Sequence, residues 1–534
     1  MTTHLDLLIQ NGTLIDGTGA PMRHADLGIV GERIVALGDL AGAQAARTLD
    51  ATGRYVAPGF IDIHTHTDET IFINPKMESK IQQGVTLEVS GNCGSSVAPL
   101  LGAARENLDN IFEARHNIEL TWTTVGEYLE RVEQTGIATN YLVLVGQGTL
   151  RASVMGFAMR PPADAELTTM QQLLAESIAQ GAWGISTGLI YPPSAYASMD
   201  ELVALCQIAA AHGGVYTSHI RNEGDRLLEA VTEALAIGER AGIRVQLSHH
   251  KAAGKRNWGK VHESLALIEQ ARARGLVACA DQYPYVASST GLGTVIPNWA
   301  HEGGRDQLVA RLRDPETRAR IGAEVRDARP GWENPAVDSG WHNILIVGLE
   351  SERALQGKSV WEIAERRGSD PVETSFDLLI ENQGGVQVVI FSMSEDDVQT
   401  VMRVPWVSVG SDSTARAPAG PLAAVQCHPR AYGTFPRVLG KYVREEKILT
   451  WEQAIAKMTA RPAQMLGVPQ RGEIRAGYFA DLVVFDPATI ADTATFTAPH
   501  QFPVGMDYVI VNGTLAVDHG TQTEARAGRV LRKQ

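Results

Sequence analysis

Residues 60–66 read Phe-Ile-Asp-Ile-His-Thr-His, a short apolar run that ends in two histidines one residue apart. Pro58 and Gly59 stand directly before the run and mark where a strand begins. In an extended strand, residues two apart point to the same side, so His64 and His66 can direct both imidazoles at one metal ion. Alternating histidines also occur on solvated strands, so the rest of the chain has to decide between a metal site and a surface strand.

Further apolar runs of strand length follow the first and are separated by helical stretches. The runs are 84–90, 141–145, 183–186, 215–218, 245–248, 277–281 and 407–410, and the clearest helical stretches are 199–211, 227–241 and 261–275. Alternating strands and helices predict a parallel sheet with crossover helices. Eight such units, counting the run at residue 60, predict a closed (β/α)8 barrel of the TIM type.

Residues suited to metal binding follow these runs closely. His64 and His66 end the first run, Cys93 follows the second, His219 and His249 follow the fifth and sixth, and Asp412 follows the eighth. In a (β/α)8 barrel the carboxyl ends of the strands surround the active site. The barrel hypothesis therefore gathers these six side chains at one mouth, which favours the metal site over the surface strand.

The two ends of the chain resemble each other. Residues 9–17, Ile-Gln-Asn-Gly-Thr-Leu-Ile-Asp-Gly, are echoed by residues 511–518, Val-Asn-Gly-Thr-Leu-Ala-Val-Asp. Asn-Gly between apolar residues is a strong hairpin signal, so both ends predict strand, turn, strand; two unrelated surface hairpins are the alternative. We expect residues 1–57 and 465–534 to form a small β-sandwich domain beside a barrel at 58–464, with an inserted lid at about 288–343.

The composition is that of an ordinary globular protein: 534 residues, 44% hydrophobic and 20% charged. A net charge of −14 without long basic runs makes nucleic acid and anionic membrane surfaces poor partners, and no apolar run has the length of a membrane span. The four scattered cysteines form no CxxC pair and fit a reducing compartment. The sequence thus predicts a cytoplasmic protein that acts on a small molecule, as a monomer or a homo-oligomer.

The motifs at the strand ends give the chain a resemblance to the amidohydrolase superfamily. Within that superfamily it resembles the N-acyl-D-amino-acid deacylase (D-aminoacylase) family, over nearly its whole length. The matching stretches are Ala57-Pro-Gly-Phe-Ile-Asp-Ile-His-Thr-His66, Ser90-Gly-Asn-Cys-Gly94, Ser186-Thr-Gly-Leu-Ile-Tyr-Pro-Pro193, Thr217-Ser-His-Ile-Arg-Asn-Glu223, Leu247-Ser-His-His-Lys251, Tyr283-Pro-Tyr285, Gly410-Ser-Asp412, His428-Pro-Arg430 and Gly433-Thr-Phe-Pro-Arg437. The His-Thr-His and Ser-Asp motifs indicate only the superfamily, whereas Gly-Asn-Cys-Gly and Ser-His-His-Lys are much more specific.

The resemblance implies zinc-dependent hydrolysis of the amide bond of N-acyl-D-amino acids. It implies that Cys93, His219 and His249 hold one zinc ion tightly, and that His64, His66 and Asp412 form a second, weaker position. Thiolate and imidazole are good zinc ligands, and three protein ligands leave an open position for water. Asp412 at the barrel mouth is the expected general base, which then delivers the proton to the departing amine.

The carboxylate of the amino-acid product needs cations and hydroxyls to bind it. Lys251, Arg430, Tyr191 and Tyr283 are the candidates, and the resemblance implies the same four. Arginine suits a bidentate grip on a carboxylate. Glu223, in the loop after His219, is expected to orient an imidazole.

This interpretation does not identify the substrate. The stretch 412–428 is several residues longer than in the D-aminoacylases and brings Arg416 near the base, so dipeptides and N-carbamoyl compounds are alternative substrates. A cyclic amidase resembling dihydroorotases and hydantoinases is another alternative. Those enzymes use a carboxylated lysine as a metal ligand, so Cys93 argues against this alternative. A catalytically inactive scaffold is a third alternative. The presence of all six candidate metal ligands argues against it.

Overall fold

The structure is a computed structural model that describes residues 4–116, 118–327 and 332–533. In these residues parallel strands form the expected barrel. They are Phe60–Asp62, Val85–Ser90, Asn140–Val143 continuing into Val145–Gly146, Gly184–Gly188, Val215–His219, Arg244–Leu247, Ala278–Gln282 and Val407–Val409. Their spatial order follows their order along the chain. The eight predicted strands are confirmed to within a few residues at each end.

The first and last barrel strands meet through their extensions rather than through a regular ladder. Thr65 forms an isolated parallel bridge with Ser413, and the Asp412 N–H donates to the carbonyl of His64 over 2.8 Å. This junction closes the barrel and brings the histidine pair beside Asp412. The predicted (β/α)8 barrel is confirmed.

Helices surround the barrel strands and pack their apolar faces against them. Their bounds are Glu78–Ile81, Gly102–His116, Val125–Thr135, Gln147–Met155, Asp164–Ala179, Met199–Ala211, Leu227–Ala241, Val261–Ala273, Glu395–Arg403, Arg430–Arg437, Trp451–Met458 and Ala460–Leu466, with a π-helix at Val438–Glu445. Capping fixes several starts; for example, the Ser198 side chain accepts from the backbone N–H of Glu201. No helix among the described residues is long and apolar enough to span a membrane.

Strands from both chain ends form a β-sandwich. One sheet orders its strands as Arg33–Gly38, Asp26–Val30, Leu5–Gln10 and Ala45–Asp50; the other as Thr521–Gln522, Thr514–Asp518, Met506–Val511, Leu482–Phe485, Tyr55–Pro58, Thr13–Leu14 and Arg23–His24. Buried side chains such as Ile9, Leu482 and Ile510 fill the space between the two sheets. The domain boundaries after residue 57 and before residue 465 stay a prediction.

The prediction of a hairpin at the N-terminus is wrong, whereas the hairpin predicted at the C-terminus forms. Met506–Val511 and Thr514–Asp518 pair antiparallel across Asn512 and Gly513. Leu5–Gln10 and Thr13–Leu14, by contrast, lie in different sheets, so Asn11 and Gly12 carry the chain from one sheet to the other. A Cβ on Gly12 would lie 2.7 Å from Val56 Cγ2, so this turn packs directly against the neighbouring strand.

The insertion is longer than the expected 288–343. It contains a three-stranded antiparallel sheet in which Gln387–Phe391 lies between Ala287–Gly291 and Ile344–Gly348. Its helices are Arg305–Arg313, Pro315–Arg326, Pro335–Ser339, Val360–Arg367 and Pro371–Glu381. The insertion has its own hydrophobic core, which includes residues up to Ile390. It extends to residue 391, because the strand that ends there is the central strand of its sheet.

Candidate metal centre

The six predicted metal ligands all lie at the carboxyl end of the barrel. His219 is the last residue of its strand, and the other five come within a few residues after theirs. Three of them, Cys93, His249 and Asp412, have left-handed backbone conformations with φ of 52°, 37° and 49°. Side chains other than glycine rarely adopt this conformation, and it concentrates at functional sites. Each of these tight turns directs its side chain back into the mouth of the barrel.

Cys93 stands at the centre of the cluster. Its Sγ lies 3.3 Å from His64 Nε2 and 3.5 Å from His249 Nε2. Two groups of side chains have all their donor atoms within 4.8 Å of one another, namely Cys93, His219 and His249, and His64, His66, Cys93 and Asp412. The sequence interpretation gave Cys93 to the first group alone, whereas the structure places it between both.

Asp412 faces both histidines of the His-Thr-His motif. Its Oδ1 lies 3.1 Å from His66 Nε2 and 3.5 Å from His64 Nε2. Although burial raises the pKa of Asp412, the positive charges of Arg430, His64 and His249 hold it well below its usual value. The side chain is therefore a carboxylate, as a metal ligand or a proton acceptor must be.

The chemistry of the donor set fits a zinc ion. Both ring nitrogens of His219 are buried and have no hydrogen-bond partner among the described residues, and burial lowers the pKa of this imidazole. Burial raises the pKa of the Cys93 thiol, but the charge of His64 and the adjacent imidazoles of His219 and His249 bring it well below its usual value. Zinc takes a thiolate and imidazoles in proteins, and its binding would displace the protons that give His64 and His249 their positive charge.

Asp281 orients two of the histidines, and the sequence interpretation missed it. Its Oδ1 lies 3.2 Å from His64 Nδ1 and accepts the backbone N–H of His249 over 2.8 Å. A carboxylate on Nδ1 fixes the tautomer that leaves Nε2 free for a metal. The available signal was its position at the end of the predicted strand 277–281.

Glu223 orients His249, as the sequence predicted for this residue. Its Oε1 lies 2.9 Å from His249 Nδ1 and 2.6 Å from Lys251 Nζ. Lys251 therefore forms an ion pair with a carboxylate of the protein, and its side chain also lines the cavity above the cluster. Burial raises the pKa of Glu223, but the charges of Lys251 and His249 lower it below its usual value, so Glu223 is anionic.

The four predicted substrate-binding residues line one cavity of about 1100 Å³ above the cluster. The Arg430 guanidinium lies 2.8 Å from Asp412 Oδ2 and 4.7 Å from the centre of the Tyr283 ring. The Tyr191 ring packs edge-on against His219 at 4.9 Å, and its hydroxyl lies 3.0 Å from Thr290 Oγ1 in the insertion. Arg430 Nε and the Tyr283 hydroxyl are buried without a hydrogen-bond partner among the described residues.

The barrel and its buried thiolate, imidazole and carboxylate cluster define a hydrolase of the metal-dependent barrel class. Residues 47–517 match the family model described as the amidohydrolase family, and the chain belongs to that family.

The chain is 39% identical to the D-aminoacylase of Alcaligenes xylosoxydans xylosoxydans, over 98% of this chain and 97% of that protein. It is also 39% identical to the N-acyl-D-glutamate deacylase of the same organism, over 100% of this chain and 98% of that protein. The crystal structure of N-acyl-D-glutamate deacylase from Bordetella bronchiseptica, complexed with zinc and a phosphonate mimic of the tetrahedral intermediate, superposes with a TM-score of 0.84 at 36% identity, covering 99% of this chain and 100% of that one.

Proposed function

We propose that this protein is a zinc-dependent deacylase that hydrolyses the amide bond of N-acyl-D-amino acids to a carboxylate and a free amino acid. The observation that carries the proposal is the buried cluster in which Cys93 lies between the pair His219 and His249 and the group of His64, His66 and Asp412. Cys93, His219 and His249 would hold the tightly bound zinc, and His64, His66, Cys93 and Asp412 the weaker second position. The similarity to D-aminoacylase and N-acyl-D-glutamate deacylase supports the same conclusion.

The residues of this chain divide the work of hydrolysis. Zinc, when bound, supplies Lewis-acid chemistry that activates water and polarises the amide carbonyl. Asp412 is the general base that takes a proton from the attacking water and returns it to the departing amine. Asp281 and Glu223 keep the imidazoles of His64 and His249 in place during these steps.

The α-carboxylate of the substrate would bind beside Asp412. Arg430 Nε and the Tyr283 hydroxyl are buried donors with no partner among the described residues, so they are free for a ligand. A carboxylate placed there gains charge-assisted hydrogen bonds and neighbours the ammonium group of Lys251. Tyr191, held between His219 and Thr290, would close the opposite side of the reacting group.

The test is a kinetic screen of N-acetyl and N-formyl amino acids and dipeptides, each in both configurations, together with metal analysis of the purified protein. We expect co-purified zinc and a higher kcat/KM for the D-configured member of each pair of N-acyl amino acids. A consistent preference for L substrates contradicts the stereochemical assignment, and the absence of any bound metal contradicts the mechanism. Faster turnover of dipeptides would select that alternative substrate class.

We further propose a cytoplasmic location for the enzyme. All four cysteines are free thiols, which fits a reducing compartment. Fractionation of cells that produce the protein tests this, and recovery outside the cytoplasm would contradict it.

A further inference from the structure

The cationic side chains that line the active-site cavity differ in their partners. Lys251 lies 2.6 Å from Glu223, and Arg430 lies 2.8 Å from Asp412. Arg305 also has a partner. The guanidinium groups of Arg353 and Arg416 have no hydrogen bond or ion pair among the described residues, and of these two Arg353 is exposed whereas Arg416 is half-buried.

The backbone around Arg416 is fixed to the segment that follows the His-Thr-His motif, including the helix Glu78–Ile81. The Arg416 N–H donates to Ser79 Oγ over 2.8 Å, and its carbonyl accepts from the Ser79 N–H over 3.0 Å and from Asn74 Nδ2 over 3.1 Å. The N–H of Ala415 donates to Thr67 Oγ1 over 3.0 Å. The side chain of Arg416 therefore starts from a rigid part of the cavity wall.

In the part of the chain that the structure describes, no acidic side chain forms an ion pair with Arg416. It interacts electrostatically with Cys427, Tyr432 and His500. Burial raises the pKa of the Cys427 thiol to about 11, raises the pKa of Tyr432 and lowers the pKa of His500, so all three are neutral near pH 7. A half-buried cation without a counter-ion is unfavourable in itself. In a chain with 61 acidic and 47 basic residues, an unpaired arginine on a cavity wall is suited to an anionic ligand.

Building on the deacylase function, we propose that Arg416 binds a second carboxylate of the substrate, in addition to the α-carboxylate beside Arg430. The substrate class is then an N-acyl amino acid with two negative charges. The second charge lies either on the amino-acid side chain or at the far end of the acyl group. Arginine holds such a carboxylate through two parallel hydrogen bonds, and the cavity of about 1100 Å³ has room for a substrate larger than an N-acetyl amino acid.

The experiment measures kcat/KM of the zinc-loaded enzyme for two matched pairs of substrates. N-acetyl-D-glutamate and N-acetyl-D-glutamine differ in charge on the side chain; N-succinyl-D-leucine and N-succinamoyl-D-leucine differ in charge on the acyl group. We expect the wild type to prefer the charged member of one pair. Arg416→Met should lower kcat/KM for that member by about tenfold or more, mainly through KM, because a charge-assisted contact is lost. The neutral member reports on folding and should be unaffected.

Two further variants sharpen the result. Arg416→Lys keeps the charge and should retain part of the preference, whereas Arg353→Met removes an exposed arginine of the same cavity and should leave the preference intact. Equal losses for the charged and neutral members in Arg416→Met, or no charge preference of the wild type in either pair, would overturn the assignment of Arg416. Failure to hydrolyse any N-acyl amino acid, with zinc bound, would instead overturn the deacylase function on which the assignment rests.

Discussion

The ammonium group of Lys80 lies 2.9 Å from the carboxylate of Asp62, and both side chains are completely buried. Lys80 Nζ also donates to Ser411 Oγ over 2.6 Å and to Ser413 Oγ over 3.0 Å, while Asp62 accepts the N–H of Ser411 over 2.8 Å. Asp62 belongs to the first barrel strand, and the two serines flank Asp412 after the last. This network therefore closes the barrel at the point where the metal cluster is built.

Replacing Lys80 tests the importance of this closure. Lys80→Met leaves the Asp62 carboxylate buried without its counter-ion, so we expect the free energy of unfolding to fall by about 3–5 kcal/mol. The matched control is Lys76→Met, because Lys76 forms an ion pair of 2.8 Å with the largely exposed Glu524; it should cost no more than about 1 kcal/mol. Denaturant unfolding of both variants measures the difference, and equal losses would show that the buried pair has no special role.

Zinc content distinguishes Cys93 from an ordinary buried cysteine. Cys93→Ala removes the donor that both groups share, so we expect the purified variant to carry far less zinc than the wild type. Cys206→Ala is the control, since Cys206 is also buried but lies in the hydrophobic core, where burial raises the pKa of its thiol. This control should keep its zinc. Full zinc occupancy in Cys93→Ala would remove Cys93 from the ligand set.

The barrel could be predicted from the sequence because its strands are almost wholly buried and appear as short runs rich in apolar residues. The position of His219 and Asp412 at the ends of such runs was enough to place them at one mouth. The place of Cys93 between two groups depends on distances across the barrel, which no local pattern encodes. The role of Asp281 is likewise a contact across strands, with a histidine 217 residues earlier in the chain.

Two errors of the sequence interpretation have physical causes. The insertion was expected to end too early because its sheet pairs Ala287 with Phe391, and no short-range signal marks such a distant partner. Asn11 and Gly12 carry the same turn signal as the C-terminal hairpin, yet they connect two sheets of the sandwich. An Asn-Gly pair specifies the local reversal of the chain, and the packing of the flanking strands decides which sheets they join.

Asp412→Asn separates proton transfer from metal binding. The amide cannot accept a proton from water, so we expect kcat to fall by about 10²–10⁴-fold. The tight zinc should remain, because Cys93, His219 and His249 are unchanged. Metal analysis and turnover of N-acetyl-D-amino acids measure both quantities, with the exposed Asp396→Asn as the control. An unchanged kcat would exclude Asp412 as the general base.

Asp281→Asn tests whether the tautomer of His64 matters. An amide is a weaker acceptor than a carboxylate for His64 Nδ1 and for the N–H of His249. We expect the variant to bind metal or turn over substrate about 10–100-fold less well, as is usual when the partner of a ligating histidine is altered. Competition with a chelator measures zinc affinity directly. Unchanged affinity and unchanged kcat together would reduce Asp281 to a packing role.

Glu333 gives the insertion a pH-dependent contact with the active-site wall. Its carboxyl group accepts the N–H of Glu223 over 2.5 Å, and burial, together with the charge of Glu223, raises its pKa to about 8. A raised pKa means that the folded protein favours the protonated form, so the contribution of Glu333 is fully present below its ordinary pKa near 4.5. That contribution is lost as the pH rises from there to about 8.

Glu333→Gln keeps the hydrogen-bond acceptor but cannot ionise. We therefore expect the variant to become more stable than the wild type as the pH rises, by at most about 1.4 kcal/mol per pH unit, with the difference levelling off above about pH 8. Thermal unfolding of both proteins between pH 5 and pH 9 measures this difference. The exposed Glu365→Gln should show no such trend. A constant offset between Glu333→Gln and the wild type over this range would mean that Glu333 does not titrate against the fold.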